Sequence, residues 1–238
     1  MANADVRALL FDVFGTVVDW RGSLIRTGRA LTERTGVAVD WPAFADRWRR
    51  EGYLAPIGRI VAGEEPWREV EDLLQAQFDV LASEAGFLDL PAEELVPLRS
   101  VWHHLDPWPD ALEGLARLRR SYVVAPLSNG SFAMLMAMAK RAGLPWDCII
   151  STELFRAYKP QPAAYRGGAR LLGLQPDQVM LVAAHTGDLR AAQGEGLHAA
   201  YVPRPLEWGE DAPAPEPADP AFELVAADFG ALADLLGC

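Results

Sequence analysis

The chain is poor in cysteine, in positive charge and in long apolar runs, and each shortage removes a class of protein. Cys148 lies in an apolar stretch and Cys238 is the last residue, and no other cysteine occurs in the 238 residues. They form neither a metal-binding pair nor a disulfide framework and are read as free thiols. Lysine and arginine number 22 against 33 aspartates and glutamates, a net charge of -11. No basic cluster rises above scattered arginines such as Arg47, Arg49 and Arg50, which argues against nucleic acid, since phosphate binding needs a positive footprint. Nothing reaches the ~18 consecutive apolar residues of a membrane span. No basic segment followed by a long apolar run opens the sequence, so a cytoplasmic protein with no membrane partner is expected. No internal repeat is visible. What is present is apolar mass: 50% of the residues are hydrophobic, enough for one medium domain or a core domain with a smaller one inserted.

The organising stretch is Val6 to Asp19. A short run of Leu and Phe stopped by Asp12 and a turn at Gly15 reads as a buried strand delivering a carboxylate to its carboxyl end. In open α/β sheets that edge is where ligands bind, although a lone strand-end aspartate equally often only caps a turn. Residues 21–100 show no strand and read as helices, with Leu24, Ile25, Gly28 and Leu31 on one face and Val70, Leu73, Leu74 and Phe78 on another. Pro42 after Asp40 starts one of these helices, and Glu64-Glu65-Pro66 precedes one expected over 67–82. From Pro107 onward apolar strands alternate with helices of about ten residues, the pattern of a doubly wound parallel sheet. Strands are expected at 122–128, 147–151, 178–183, 199–202 and 224–226. Helices are expected at 109–118, 131–141, 161–172, 189–194 and 229–236. The proline-rich, acidic tract 203–220 reads as a surface loop.

Polar groups stand at four strand ends: Asp12 with Thr16, Ser128 with Asn129, Lys159, and His185 with Asp188. Each has a plain structural explanation. Ser128-Asn129-Gly130 fits a turn and cap, Lys159 a solvated loop, Asp188 a helix cap and His185 a satisfied core histidine. The fold argument nevertheless sends all four to one edge of one sheet.

The order Phe11-Asp12-Val13-Phe14-Gly15-Thr16, Leu127-Ser128-Asn129, Tyr158-Lys159-Pro160-Gln161-Pro162 and Gly187-Asp188 resembles the four motifs of the haloacid dehalogenase superfamily. The resemblance implies a Rossmann-like α/β core domain of residues 1–18 and 101–238, with residues 19–100 as an inserted helical cap. Most members are similar to magnesium phosphatases with a second aspartate two residues after the nucleophile, and here that position is Phe14. An aromatic there resembles the type II L-2-haloacid dehalogenases, which implies hydrolysis of short 2-haloacids to 2-hydroxy acids without a cofactor. By the same resemblance Asp12 is the nucleophile, which forms an aspartyl ester. Thr16 bonds near it, Ser128 holds the substrate carboxylate or the nucleophile, and Asn129 neighbours the halide. Lys159 keeps Asp12 anionic, Tyr165 accompanies it, and Asp188 positions the hydrolytic water. Arg49, with Arg50 one residue out of register, reaches the halide or carboxylate from the cap, Tyr53 and Trp67 line the apolar part of the pocket, and Phe14 counts with the substrate-binding residues. The fourth motif departs from the family pattern at Ala183, His185 and Gly187. His185 replaces an asparagine, and either donation to a departing halide, fluoride included, or handling of the water suits it. A homodimer through the cap is expected on resemblance. The competing readings are a phosphatase of the same fold, the one case in which magnesium is expected, and a binding protein with a relict site.

Overall fold

A computed structural model describes residues 5–238. Strand β1 (Ala8–Phe11) is wholly buried. It pairs in parallel with β4 (Val123–Ser128) on one side and β6 (Val179–Ala183) on the other, with Phe11 level with Pro126 and Val182. Burial on both faces is what its uninterrupted apolar run requires. Outward from β4 lies β5 (Ile150–Ser151), and outward from β6 lie β7 (His198–Tyr201) and β8 (Leu224–Val225), so the parallel order is β5-β4-β1-β6-β7-β8. The chain fills one side of β1 before crossing to the other. The reversal therefore falls at β1, and the crevice beyond its carboxyl end is the expected ligand position.

Helices cover both faces. Phe11 packs at 5.3 Å, edge to face, on Phe229 of α10 (Phe229–Leu235). On the opposite face Leu10 meets α8 (Pro162–Leu171), where an added Cβ at Gly168 would lie 3.0 Å from Leu10 Cδ1. Helix α7 (Phe132–Ala142) is capped by Ser131, whose side chain accepts from Met134 N, and closed by left-handed Gly143, the start and stop chemistry its sequence carries. Helix α6 (Ala111–Leu118) and α9 (Thr186–Gly194) complete the core layers.

Between β1 and β4 the chain forms α1 (Trp20–Thr35), α2 (Trp41–Arg49), a π turn (Arg50–Leu54), α3 (Ala55–Val61), α4 (Val70–Glu84) and α5 (Ala92–Arg99). These helices share a core of Trp20, Trp41, Phe44, Trp48, Phe78, Phe87 and Trp102. Each such ring contributes about 2–3 kcal/mol on burial. The close approach of α1 to α2 depends on Gly28, where a Cβ would lie 2.2 Å from the Trp41 indole. The neck is a ribbon of two-residue strands, β2 (Val18–Asp19) antiparallel to β3 (Asp106–Pro107), too short to leave a pattern in the sequence.

Two expectations need correction. The helix anticipated from Trp67 begins at Val70: residues 67–69 form no regular structure, Glu69 is extended, and no side chain caps the helix. The tract 203–220 is not merely surface: Glu207 is buried and packs beneath Gly15.

Candidate active site

The turn after β1 sets the nucleophile candidate. Gly15 adopts φ 89°, and Val17 and Val18 both donate to the Val13 carbonyl, a bend that a side chain at position 15 would strain. The bend carries buried Thr16 back over Asp12. Its hydroxyl donates to Asp12 Oδ2 at 2.7 Å and accepts from Ala184 N at 2.9 Å, tying the ends of β1 and β6 together.

Lys159 Nζ donates to Asp12 Oδ1 at 2.8 Å and to Asp188 Oδ2 at 2.5 Å, and Tyr165 Oη donates to Asp188 Oδ1 at 2.6 Å. His185 lies between two carboxylates, with Nδ1 3.0 Å from Asp12 Oδ2 and Nε2 2.9 Å from Glu207 Oε2. The other Glu207 oxygen accepts from Trp20 Nε1 of the cap at 3.0 Å.

Burial alone raises the Asp12 pKa, but the Lys159 charge and the His185 hydrogen bond outweigh it and hold the carboxyl well below its ordinary range. Burial works against the Lys159 charge, yet Asp12 and Asp188 raise its pKa above the usual lysine value. For His185 burial likewise lowers the pKa, and the hydrogen bonds it donates to Asp12 and Glu207 reverse the sign, so it is pushed up to about 10. Glu207 is lowered against its own burial by His185. At neutral pH the cluster is thus Asp12 carboxylate, Lys159 ammonium, His185 imidazolium and Glu207 carboxylate.

Asp12 opens on a cavity of 340 Å³ whose wall includes Arg49, Tyr53, Leu54, Asn129, Lys159 and Asp188. Arg49 is buried with its guanidinium 4.0 Å from the Tyr53 ring centroid and 5.5 Å from those of Phe14 and Trp20. Its Nε and Nη1 have no hydrogen-bond partner. Buried unpaired donors cost about 1–3 kcal/mol each, a cost that an anion entering the cavity removes. Arg50 instead lies 5.1 Å over Trp208 and faces a neighbouring cavity of 730 Å³. Of the two arginines, Arg49 lines the Asp12 cavity and Arg50 does not.

Most of the side chains singled out in the sequence meet here, and four do not reach the wall: Thr16 stands behind Asp12, and Ser128, Phe14 and Trp67 lie further off. Ser128 is fully buried and its hydroxyl accepts from Gly130 N at 3.1 Å, the turn role. Phe14 lies behind the wall, edge-on to Tyr53 at 5.5 Å and to Trp102 at 5.8 Å, and so supports Tyr53 and Arg49 without facing the cavity. Trp67 stacks at 6.5 Å on Tyr158 with the Arg156 guanidinium 4.5 Å above it, away from the cavity. Asn129 does line the wall, but its Oδ1 accepts from Lys159 N at 2.7 Å and its Nδ2 donates to the Lys159 carbonyl at 3.3 Å, so it also holds the lysine's backbone. Glu207 and Trp208 were missed. The only signal for them was Leu206-Glu207-Trp208-Gly209, an aromatic in an otherwise polar, proline-rich tract.

The donor set does not fit a magnesium ion. Both oxygens of Asp12 and both of Asp188 already accept from Lys159, Thr16, His185 or Tyr165, and among the described residues no group of three or more acidic, histidine or cysteine side chains is arranged to hold a metal. What the arrangement offers is an ionised, desolvated carboxylate opposite a guanidinium with unpaired donors.

Comparison with known proteins identifies the family. A family model described as haloacid dehalogenase-like hydrolase matches residues 6–196. The (S)-2-haloacid dehalogenase of Xanthobacter autotrophicus is 30% identical over 203 residues, 84% of this chain and 76% of that one. The crystal structure of the L-2-haloacid dehalogenase PA0810 superposes with TM-score 0.89 at 42% identity, covering 97% of this chain and 99% of the other. That of the defluorinating L-2-haloacid dehalogenase Rha0230 gives 0.92 at 40%, covering 98% and 96%. With a catalytic-type carboxylate at the switch point of its sheet and relatives of this kind along nearly its whole length, the chain belongs to the haloacid dehalogenase-like hydrolases.

Proposed function

We propose that the protein hydrolyses short (S)-2-haloalkanoic acids to 2-hydroxy acids through an ester on Asp12. The observation that carries this reading is the opposition of Asp12, held ionised by Lys159, Thr16 and His185, to Arg49 with two unpaired donors across one cavity. A carboxylate is a weak nucleophile unless it is desolvated and oriented, and the three donors orient it in a buried place. Asp12 attacks the carbon bearing the halogen, a C–O bond forms as the C–X bond breaks, and the halide leaves with the electron pair. Arg49 stabilises negative charge on the cap side as it develops, an effect worth roughly 3 kcal/mol for one preorganised donor. No proton has to reach the leaving group, which accords with Phe14 in place of a second acid. Water then opens the ester at the Asp12 carbonyl. Asp188 is held by Lys159 and Tyr165, so in this reading it sets the lysine rather than the water.

The names of the relatives support the substrate class, since they are haloacid dehalogenases. The test is parallel assay of (S)-2-chloropropionate and p-nitrophenyl phosphate with and without EDTA. Halide release that survives chelation is expected; phosphate release that chelation abolishes and magnesium restores would replace this reading with the phosphatase. Fluoroacetate belongs in the same assay, because Rha0230 is described as defluorinating.

A homodimer and a cytoplasmic location belong to the same proposal. Val80 and Val96, exposed on cap helices α4 and α5, support a partner surface there, and a clean monomer in sedimentation at micromolar concentration rules it out. Two free cysteines accord with a reducing compartment. No helix among the described residues is long and apolar enough to cross a membrane.

A further inference from the structure

We infer that Glu207 is a positioning residue which turns His185 from the counter-ion of Asp12 into the base for ester hydrolysis, at the moment Asp12 is alkylated. This rests on the dehalogenase reading and goes beyond it. The imidazole bridges two carboxylates, Nδ1 to Asp12 Oδ2 at 3.0 Å and Nε2 to Glu207 Oε2 at 2.9 Å. While both are anions the ring carries both protons and has no lone pair to offer water. Ester formation makes Asp12 neutral and leaves Glu207 as the one carboxylate in contact. Glu207 then fixes the remaining proton on Nε2, which selects the tautomer with a free Nδ1 lone pair directed toward the ester.

The surroundings suit this change. Trp20 Nε1 holds the second Glu207 oxygen at 3.0 Å, and a Cβ on Gly15 would lie 2.1 Å from Oε1, so the carboxylate is seated and cannot follow the ring. The 730 Å³ cavity beside the active site shares His185, Gly187 and Glu207 with it, and an added Cβ at Gly187 would meet nothing within 4 Å. Solvent in that cavity therefore reaches the imidazole past Gly187. The other charged groups around the pair are Lys159 and Asp188 beside Asp12, Arg49 from the cap, and Arg204, which is bound to Asp110 and to the Thr16 carbonyl. None of these changes charge in the reaction.

The protons balance. After the halide leaves, Nδ1 loses its proton to solvent. A water then gives one proton to Nδ1 as its oxygen bonds to the Asp12 carboxyl carbon. Its second proton goes to the departing oxygen of the 2-hydroxy acid as the acyl C–O bond breaks. Asp12 carboxylate and His185 imidazolium are restored, and the single proton of the net reaction has left before hydrolysis.

That timing is measurable on the native protein. In a single turnover of (S)-2-chloropropionate followed with a pH indicator, proton release should track halide release and precede 2-hydroxy acid. A proton that appears only with the hydroxy acid overturns the inference. Glu207→Gln keeps the shape and removes the charge. It should slow ester hydrolysis about a hundredfold, within the range of general base catalysis, and slow halide release far less, so that the ester accumulates as added mass on the intact protein. The acid limb of the hydrolysis step should move to lower pH, because the carboxylate that stabilises the imidazolium is gone, and Glu207→Asp should move it part of the way back. An unchanged limb with no trapped ester overturns the role of Glu207 while leaving the dehalogenase reading intact. A native enzyme that releases no halide from any 2-haloacid defeats that reading itself.

Discussion

The two walls of the reaction cavity are built on opposite principles. On the core side every oxygen of Asp12 and Asp188 accepts a hydrogen bond, and three donors converge on a single carboxylate. On the cap side Arg49 sits among Tyr53, Phe14 and Trp20 with two donors unpaired. A saturated wall fixes charge and geometry before substrate arrives, whereas an unsaturated one is completed by the substrate. Loss of a core contact should therefore act on the chemical step, and loss of the cap contact on recognition and on the charge that leaves.

The largest effects should come from the saturated wall. Asp12→Asn should keep the fold and abolish turnover, and Lys159→Ala should lower kcat by several powers of ten, because it leaves the buried Asp12 and half-buried Asp188 carboxylates without their shared cation. A Lys159→Ala enzyme of near-native rate would mean that the ammonium is structural. In 18O water a first turnover should place the label in Asp12, and label in the first product would mean that water attacks carbon directly.

The next largest should come from the cap. Arg49→Met preserves much of the volume beside Tyr53 and removes the donors, so kcat/KM for 2-chloropropionate should fall by about 10²–10³. Arg49→Lys should restore little of it, since a compact ammonium on a flexible stem does not reproduce a planar group stacked 4.0 Å from the Tyr53 ring. Recovery by lysine to within a few fold would show that charge alone, and not the stacked geometry, is what the cap supplies.

Much of this asymmetry was legible in the sequence, but unevenly. Asp12, Lys159, His185 and Asp188 follow short apolar strands or their loops, so a fold-level argument carries them to one edge. Arg49 was placed by resemblance alone, because Arg47, Arg49 and Arg50 stand close together and periodicity does not say which one turns inward. Whether a residue lines a cavity or stands behind it depends on distances across the fold, so the sequence could not show that Thr16, Ser128, Phe14 and Trp67 stand off the wall. The helix start was further obscured by Glu64-Glu65-Pro66, a good start signal followed by three residues without regular structure before the helix begins. Glu207 comes from an irregular tract with no period to read, and its partners Trp20, Gly15 and His185 are all distant in sequence.

A smaller effect is expected where the saturated wall borders the irregular tract. At φ 89° and 2.1 Å from Glu207 Oε1, a Cβ at Gly15 both strains the turn and pushes the glutamate out. Gly15→Ala should lower stability by about 1–3 kcal/mol and slow turnover through Glu207. If Gly15→Ala lost stability but kept the native pH profile, the glycine would serve the bend only.

The smallest effect is on stability against pH, and it isolates the histidine. His185 is pushed up to about 10 in the folded protein by Asp12 and Glu207, against roughly 6.5 for an unperturbed histidine. A raised folded pKa means that the native state binds the proton more tightly than the unfolded chain does. The resulting stabilisation is complete below about 6.5, shrinks as pH rises, and is gone once pH passes the folded value. About a third of the side chain stays exposed, so screening keeps the contribution well below what the shift alone implies. Between pH 7 and 10 the native protein should lose a few degrees of Tm, since a chain of this size shifts by about 2–4 °C per kcal/mol, and His185→Asn should lose less over the same interval. The depressed Asp12 acts in the opposite window, giving stability above its unfolded value near 3.8 and losing it only in strong acid, so it does not blur the alkaline measurement. Equal Tm slopes for the native protein and His185→Asn would mean that the imidazole is not charged between its two carboxylates.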